Sequence, residues 1–194
     1  EIGGPPGKEF AHVNPAPQIL GIIIERATHR RFGEYLAEKF WRRIGAHDAQ
    51  MFVDHPDGTV HTDCCLWAAI EDFVRVGEAL RTKGVFAGVQ VIPPGWVDQM
   101  IEPSAAYANY GMQIWLGTTF EPHRAYDPAV PRFYNLHSEP FAAPDVFFLD
   151  GLGNQRVYVV PSRELVILRT GRPDTSWDDA MLPNLIIRGM KAPT

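Results

Sequence analysis

The apolar positions change their period along the chain, and each change marks an element. Ile19, Leu20, Ile22, Ile23 and Ile24 are apolar nearly all round a helix, so residues 19–27 predict a buried helix behind a Pro-punctuated loop. Phe32, Tyr35, Leu36 and Phe40 then fall at helical spacing with Glu34, Glu38 and Lys39 outside, an amphipathic helix over 32–41 closed by Ile44-Gly45-Ala46. Turn residues dominate 54–63, with His55-Pro56-Asp57-Gly58 the strongest turn signal. Phe73, Val76 and Leu80 line one face of a helix over 69–82 that Gly84 stops. A strand-like 89–92 and a short helix over 94–100 follow.

Further on, Met112, Ile114 and Leu116 alternate with Gln113 and Trp115, which predicts a strand over 110–116. Residues 118–144 carry Pro122, Pro128, Pro131, Pro140 and Pro144 and no clear period. They are expected to form a long irregular excursion over a site, packed through Phe120, Tyr126, Phe133, Tyr134 and Phe141. Three strands at 146–149, 156–160 and 165–169, joined by Gly151-Leu152-Gly153-Asn154 and Pro161-Ser162-Arg163-Glu164, read as an antiparallel meander. A last helix over 176–190 can cover that sheet with Trp177, Met181, Leu185 and Ile186. Gly3-Gly4-Pro5-Pro6-Gly7 opens no regular element, and a chain that starts in such a loop reads as the later part of something larger.

Composition narrows the function classes. The 194 residues are 45% hydrophobic and 21% charged, ordinary for one globular domain with a real core. A net charge of −5 without a basic run points away from nucleic acid and from anionic membrane surfaces. No apolar stretch reaches the roughly 18 residues a membrane span needs, and no signal peptide is visible at Glu1. The compartment stays open between cytoplasm and periplasm. Cys64 and Cys65 are adjacent, a spacing that rarely closes a disulfide, so both are expected as small buried residues.

One stretch organises the rest. Pro6, Gly7, Phe10, Asn14, Leu20, Gly21, Glu25, Arg26 and Thr28 stand in step with a motif Pro-Gly-x-x-Phe-x-Tyr-x-Asn, then Leu-Gly and a helix ending Glu-Arg-x-Thr-Gly. In this the chain resembles the class C β-lactamase-type serine hydrolases, which include β-lactamases, D,D-peptidases, esterases and nylon-oligomer hydrolases. Trp96-Val97 after Ile92-Pro93, Tyr110-Gly111 running to Trp115, and Val157-Tyr158-Val159-Val160-Pro161-Ser162 extend the resemblance over nearly the whole chain. It covers only the C-terminal half of that family's fold. The fold class it implies is α+β, β-lactamase/transpeptidase-like: an antiparallel sheet flanked by helices, incomplete in this chain. Residues 1–194 would be the C-terminal part of a single domain.

The departures carry as much information as the matches. The family's catalytic Tyr position is His12, and the Gly after the helix is His29. An imidazole, with an ordinary pKa of about 6.5, can serve as a base near neutrality where a phenol must first be depressed. The other reading of His12 is a degenerate position in an inactive relative. Asn14 matches the amide that orients Lys and substrate in relatives, or is a turn residue before Pro15. The literal match Tyr107-Ala108-Asn109 leads into the 110–116 strand and not into a buried helix, so it is set aside.

The family's nucleophile motif is Ser-x-x-Lys, and no serine here has it: Ser104, Ser138, Ser162 and Ser176 are followed three residues on by Tyr107, Phe141, Leu165 and Asp179. A segment N-terminal to this chain would supply it. The third motif, Gly-His-Gly-Gly-Gln in many esterase-like members, corresponds to Gly151, Leu152, Gly153, Asn154 and Gln155. Gly151, Leu152, Gly153 and Gln155 are the candidate oxyanion and substrate-binding residues; a plain Gly-rich hairpin is the alternative. Leu152 stands where a basic or polar residue would meet a substrate carboxylate. His55, His61 and Asp63 lack a His-x-x-x-His or Cys-x-x-Cys spacing, so no metal or other cofactor is expected. Gly151-x-Gly153 lacks the third glycine and the helix of a dinucleotide site.

The expectation is therefore part of a serine hydrolase that cleaves small-molecule esters, amides or lactams through an acyl-enzyme. Its partner is the segment carrying Ser-x-x-Lys. The rival is a catalytically silent module of the same fold that binds without reacting.

Overall fold

The computed structural model describes residues 5, 7–130 and 134–190, so the expectations placed on Gly3, Gly4, Pro6, Pro131 and Phe133 lie outside it. Helix α1, Pro15–Thr28, takes its prolines in the first turn, where a missing N–H costs no intrahelical bond. It ends at His29, whose φ of 54° is the left-handed conformation that glycine usually supplies. Glu25 Oε1 accepts the Phe32 N–H at 2.8 Å and starts α2, Phe32–Lys39. A 3₁₀ turn over Trp41–Ile44 buries both its end residues, and Gly45 closes it at φ 65°.

Short strands β1, Gln50–Met51, and β2, Leu66–Trp67, pair antiparallel and lead into α3, Ile70–Arg81. Gly84 stops the helical run as expected, donating its N–H to Ala79 O at 2.7 Å. β3, Val85–Phe86, and β4, Val89–Gln90, form a small hairpin before α4, Trp96–Met100. After β5, Trp115–Leu116, a second hairpin pairs β6, His123–Ala125, with β7, Tyr134–Leu136. The chain then runs through β8, Phe147–Gly151, β9, Gln155–Val160, and β10, Leu165–Arg169, to α5, Met181–Gly189.

These last strands and β5 form one antiparallel sheet of order β10-β9-β8-β5. Strand alternation sends Phe147 and Val159 to one face, where Leu80, Val97, Ile114 and Leu116 meet them. Phe148, Tyr158 and Val160 go to the other, against Ala180 and Ile187. Gly77 sets the depth of the first face, because a Cβ there would lie 2.6 Å from Val166 Cγ1 and 2.8 Å from Val157 Cγ1. The α+β architecture, an antiparallel sheet flanked by helices, is as the sequence implies.

Five local expectations are corrected. Helix α1 is not buried: Gly21 alone is, against Thr62, while Ile19, Leu20 and Ile23 are each about half exposed. Residues 110–116 do not run straight, because Gln113 at φ 60° reverses the chain and brings Tyr110 back beside Trp115. The excursion 118–144 is not irregular throughout, since it carries the β6–β7 ribbon. The last helix starts at Met181 and not at 176, since Pro183 clashes with a helical residue four positions earlier and so must lie in the first turn. Cys64 and Cys65 are exposed and joined as a disulfide, with Cys65 at φ 69°, a strained conformation that lets neighbouring sulfurs meet.

Candidate active site

The loop before α1 is pinned by its aromatic and backbone contacts. Phe10 packs its ring 4.7 Å from Tyr107 and 4.8 Å from Tyr110, and the His12 N–H donates to Tyr126 O at 2.7 Å. The His12 ring therefore sits among Tyr110, Trp115 and Tyr126, with centroids 5.9, 5.8 and 5.7 Å away. Its Nδ1 lies 3.3 Å from the Tyr110 hydroxyl, which is also 3.3 Å from Gln113 Oε1. Burial lowers the His12 pKa from its ordinary value; Asp150 pulls it up and Arg124 pushes it down further. The imidazole is thus neutral at pH 7 and able to accept a proton. The phenols beside it stay protonated and cannot: burial, with Asp150 nearby, pushes Tyr110 up to about 12 and raises Tyr126 above its ordinary value.

Tyr126 links this ring to the sheet. Its hydroxyl donates to Asp150 Oδ2 at 2.7 Å, and Asp150 belongs to a buried ionic cluster with Arg124, Arg156 and Asp179. Arg124 donates from Nη2 to Asp150 at 2.7 Å and from Nε to Asp179 at 2.9 Å; Arg156 donates from Nε to Asp179 at 2.9 Å and from Nη1 to Asp150. With its oxygen turned to the guanidiniums, Asn135 accepts from Arg124 at 2.7 Å and Arg156 at 2.8 Å. Trp177 Nε1 donates to Asp179 at 3.0 Å, and Arg124 stacks 4.1 Å over the Trp115 ring. Burial alone would raise the Asp179 pKa, yet the two guanidiniums outweigh it and hold the carboxyl below its ordinary range. Two cations and two anions close the set without net charge.

Gly151 and Gln155 close the β8–β9 hairpin as a register pair. Both line an open cleft of about 560 Å³ whose far wall is Leu66, Trp67, Ile70 and Phe73. Leu152 is fully exposed at the hairpin tip, and Gly153 at φ 76° packs against Pro173; neither lines the cleft. Asn14 is the exposed N-cap of α1 and its side chain caps nothing. Of the candidate residues, His12 is linked towards Gly151 and Gln155 through Tyr126 and Asp150, and Asn14 has no such link among the described residues. Tyr107 is nine-tenths buried and donates to Glu121 at 2.7 Å, a core position.

The ionic cluster escaped the sequence reading. Its bonded members are 55, 26, 23 and 6 residues apart, so no spacing signals it. The one available hint was Asp150 and Arg156 facing each other across the hairpin, a cross-strand charge pair in otherwise apolar strands.

No family model matches the chain. The 6-aminohexanoate-dimer hydrolase of Paenarthrobacter ureafaciens is 30% identical over 94 residues, which are 48% of this chain and 24% of that protein. Among solved structures, the "Putative 6-aminohexanoate-dimer hydrolase from Bacillus anthracis" superposes with a TM-score of 0.69 at 19% identity, over 96% of this chain and 44% of its own. A "putative beta-lactamase from Bacteroides dorei DSM 17855" gives 0.62 at 14% identity, over 97% of this chain and 58% of its own. The chain thus spans between a quarter and three-fifths of the proteins it matches. The resemblance read from the motifs is borne out.

Proposed function

Since this chain carries the fold of the β-lactamase-type serine hydrolases, we propose that it forms the C-terminal part of one such domain and one wall of its reaction cleft. The whole protein cleaves an ester, amide or lactam through an acyl-enzyme. Polypeptide outside these 194 residues supplies the serine and lysine, and His12 is the base. The names of the relatives, hydrolases of a 6-aminohexanoate dimer and a β-lactamase, agree with acyl transfer.

The observation that carries this reading is the setting of His12: a half-buried imidazole at the position of the family's catalytic residue, held by its backbone N–H on Tyr126 O and packed among Tyr110, Trp115 and Tyr126, where burial favours its neutral form. The sign of its pH dependence follows. A base works unprotonated, and a lowered pKa puts the acid limb of activity below the ordinary histidine range, near 6.5. The test uses the complete protein with an activated ester and a chromogenic lactam. His12→Ala should lower kcat/KM about 10²–10⁴-fold, and His12→Tyr should displace the acid limb. A His12→Ala rate within a few-fold of the parent would remove His12 as the base.

One observation favours the silent binding module instead. Leu152 is fully exposed and apolar where relatives offer a polar group to substrate. A complete protein that binds the lactam without turnover would decide for that reading.

A further inference from the structure

The turn-rich segment between β1 and β2 gathers ligand-type side chains that no hydrolase chemistry uses. It is held at both ends. Val53 bridges Val60, and the His61 N–H donates to Phe52 O at 2.9 Å. Thr62 is fixed to α1, its N–H donating to Gln18 Oε1 at 2.9 Å and its hydroxyl to Pro17 O at 2.7 Å. The Phe52 ring lies edge-on to His61 at 5.5 Å. Between these anchors His61 has a carboxylate on each ring nitrogen: Asp54 Oδ1 is 2.9 Å from Nε2, and Asp63 Oδ1 is 3.3 Å from Nδ1. A ring nitrogen of His61, a carboxylate oxygen of Asp63 and the Cys64 sulfur all lie within 4.8 Å of one another. The ligand atoms around a tetrahedral zinc ion are about 3.3–3.8 Å apart, so little movement separates this group from a coordination shell.

We propose that His61, Asp63 and Cys64 form a thiol-gated site for a borderline-soft divalent cation of the Zn²⁺ class. The Cys64–Cys65 disulfide closes the site and its reduction opens it. Nδ1 of His61, Oδ1 of Asp63 and Sγ of Cys64 are the ligands, with the fourth position open to water. Asp54 does not ligate. It accepts the Nε2–H, which fixes the tautomer that presents Nδ1 and makes the imidazole a better donor; carboxylates behind metal-bound histidines have this role. Cys65 is the gate, because while its sulfur is bonded to that of Cys64 no thiolate exists to bind. The opening step consumes a dithiol reductant. Its two thiols become a disulfide, and Cys64 and Cys65 each gain a hydrogen. On metal binding the Cys64 thiol releases its proton to solvent. The sequence hid this site because its residues are too close together for a known ligand spacing. The left-handed turn at Cys65 and the Val53–Val60 bridge assemble it.

The test is a titration of the complete protein with Co²⁺, whose bond to thiolate gives a charge-transfer band, followed by displacement with Zn²⁺. The parent should take up one equivalent with that band after phosphine reduction and none when oxidised. Cys65→Ser should bind without any reductant, and Cys64→Ser should give no thiolate band in either state. His61→Ala should lose the site, and Asp54→Asn should weaken it about 10–100-fold while keeping every ligand. Circular dichroism of the metal-free variants confirms their fold; should His61→Ala unfold, Asp54→Asn decides the role of the imidazole. A reduced parent and Cys65→Ser that both lack the band would overturn the site. Unchanged affinity in Asp54→Asn would overturn the placement of His61, and a Cys65→Ser protein that still needed reductant would overturn the gate.

Discussion

The C-terminal sheet and helix α1 treat equally apolar sequence in opposite ways. In the sheet, Phe147, Phe148, Tyr158, Val159 and Val160 are all buried, because helices stand on both faces. In α1, Ile19, Leu20 and Ile23 remain exposed by 55, 47 and 52%, and Val13 beside them by 49%. A helix that is apolar all round needs cover on every side. Among the described residues α1 is covered through Gly21 and Gln18 against Thr62 and through Glu25 against Thr59 and the start of α2, while the side of Ile19, Leu20 and Ile23 stays open. Local pattern states what an element requires; only the packing shows whether the requirement is met.

The comparison can be broken first where the sheet is most constrained. Asp179→Ala leaves Arg124 and Arg156 facing each other beside one remaining carboxylate, and removing one partner from a buried ionic set costs about 3–5 kcal/mol. Denaturant midpoints measure it; a loss under about 1 kcal/mol would mean that Asp179 does not balance the guanidiniums. Gly77→Ala probes the same half through close packing. Its methyl must displace Val157 and Val166, for a loss of about 1–3 kcal/mol, and an unchanged midpoint would show that α3 can lift from the sheet. On the other side of the comparison, Ile23→Gln should shift the stability of the 194-residue chain by no more than about 0.5 kcal/mol. A loss above about 2 kcal/mol would show that this face of α1 is covered in solution.

Much of this was legible beforehand. The meander at 146–149, 156–160 and 165–169 lies within a residue or two of β8, β9 and β10, because alternation and turn residues are local signals. α3 and its stop at Gly84 were equally plain. Where the reading failed, a single backbone torsion or a distant partner decided. Gln113 in the left-handed region folded a strand pattern back on itself, and Cys65 in the same region joined a pair that spacing alone argued against. The surroundings of His12 needed Tyr110, Trp115 and Tyr126, about 100 residues away in sequence, and no periodicity ties these to the loop. The motif positions were visible; the cluster behind them was not.

The β6–β7 ribbon is fastened to the sheet by charge more than by grease, since Arg124 from β6 and Asn135 from β7 both end on the buried cluster. This sets how the region answers its solvent. Mobile ions weaken charges they can surround, within a Debye length of about 8 Å at physiological ionic strength, and they cannot enter a set whose side chains are at most 5% exposed. Concentrated salt therefore loosens the exposed pair between Arg30, in the connection after α1, and Glu38 of α2, and leaves the ribbon in place. The ribbon beside His12 is indifferent to salinity, while the turn from α1 into α2, one helix further along the chain from His12, is tuned by it.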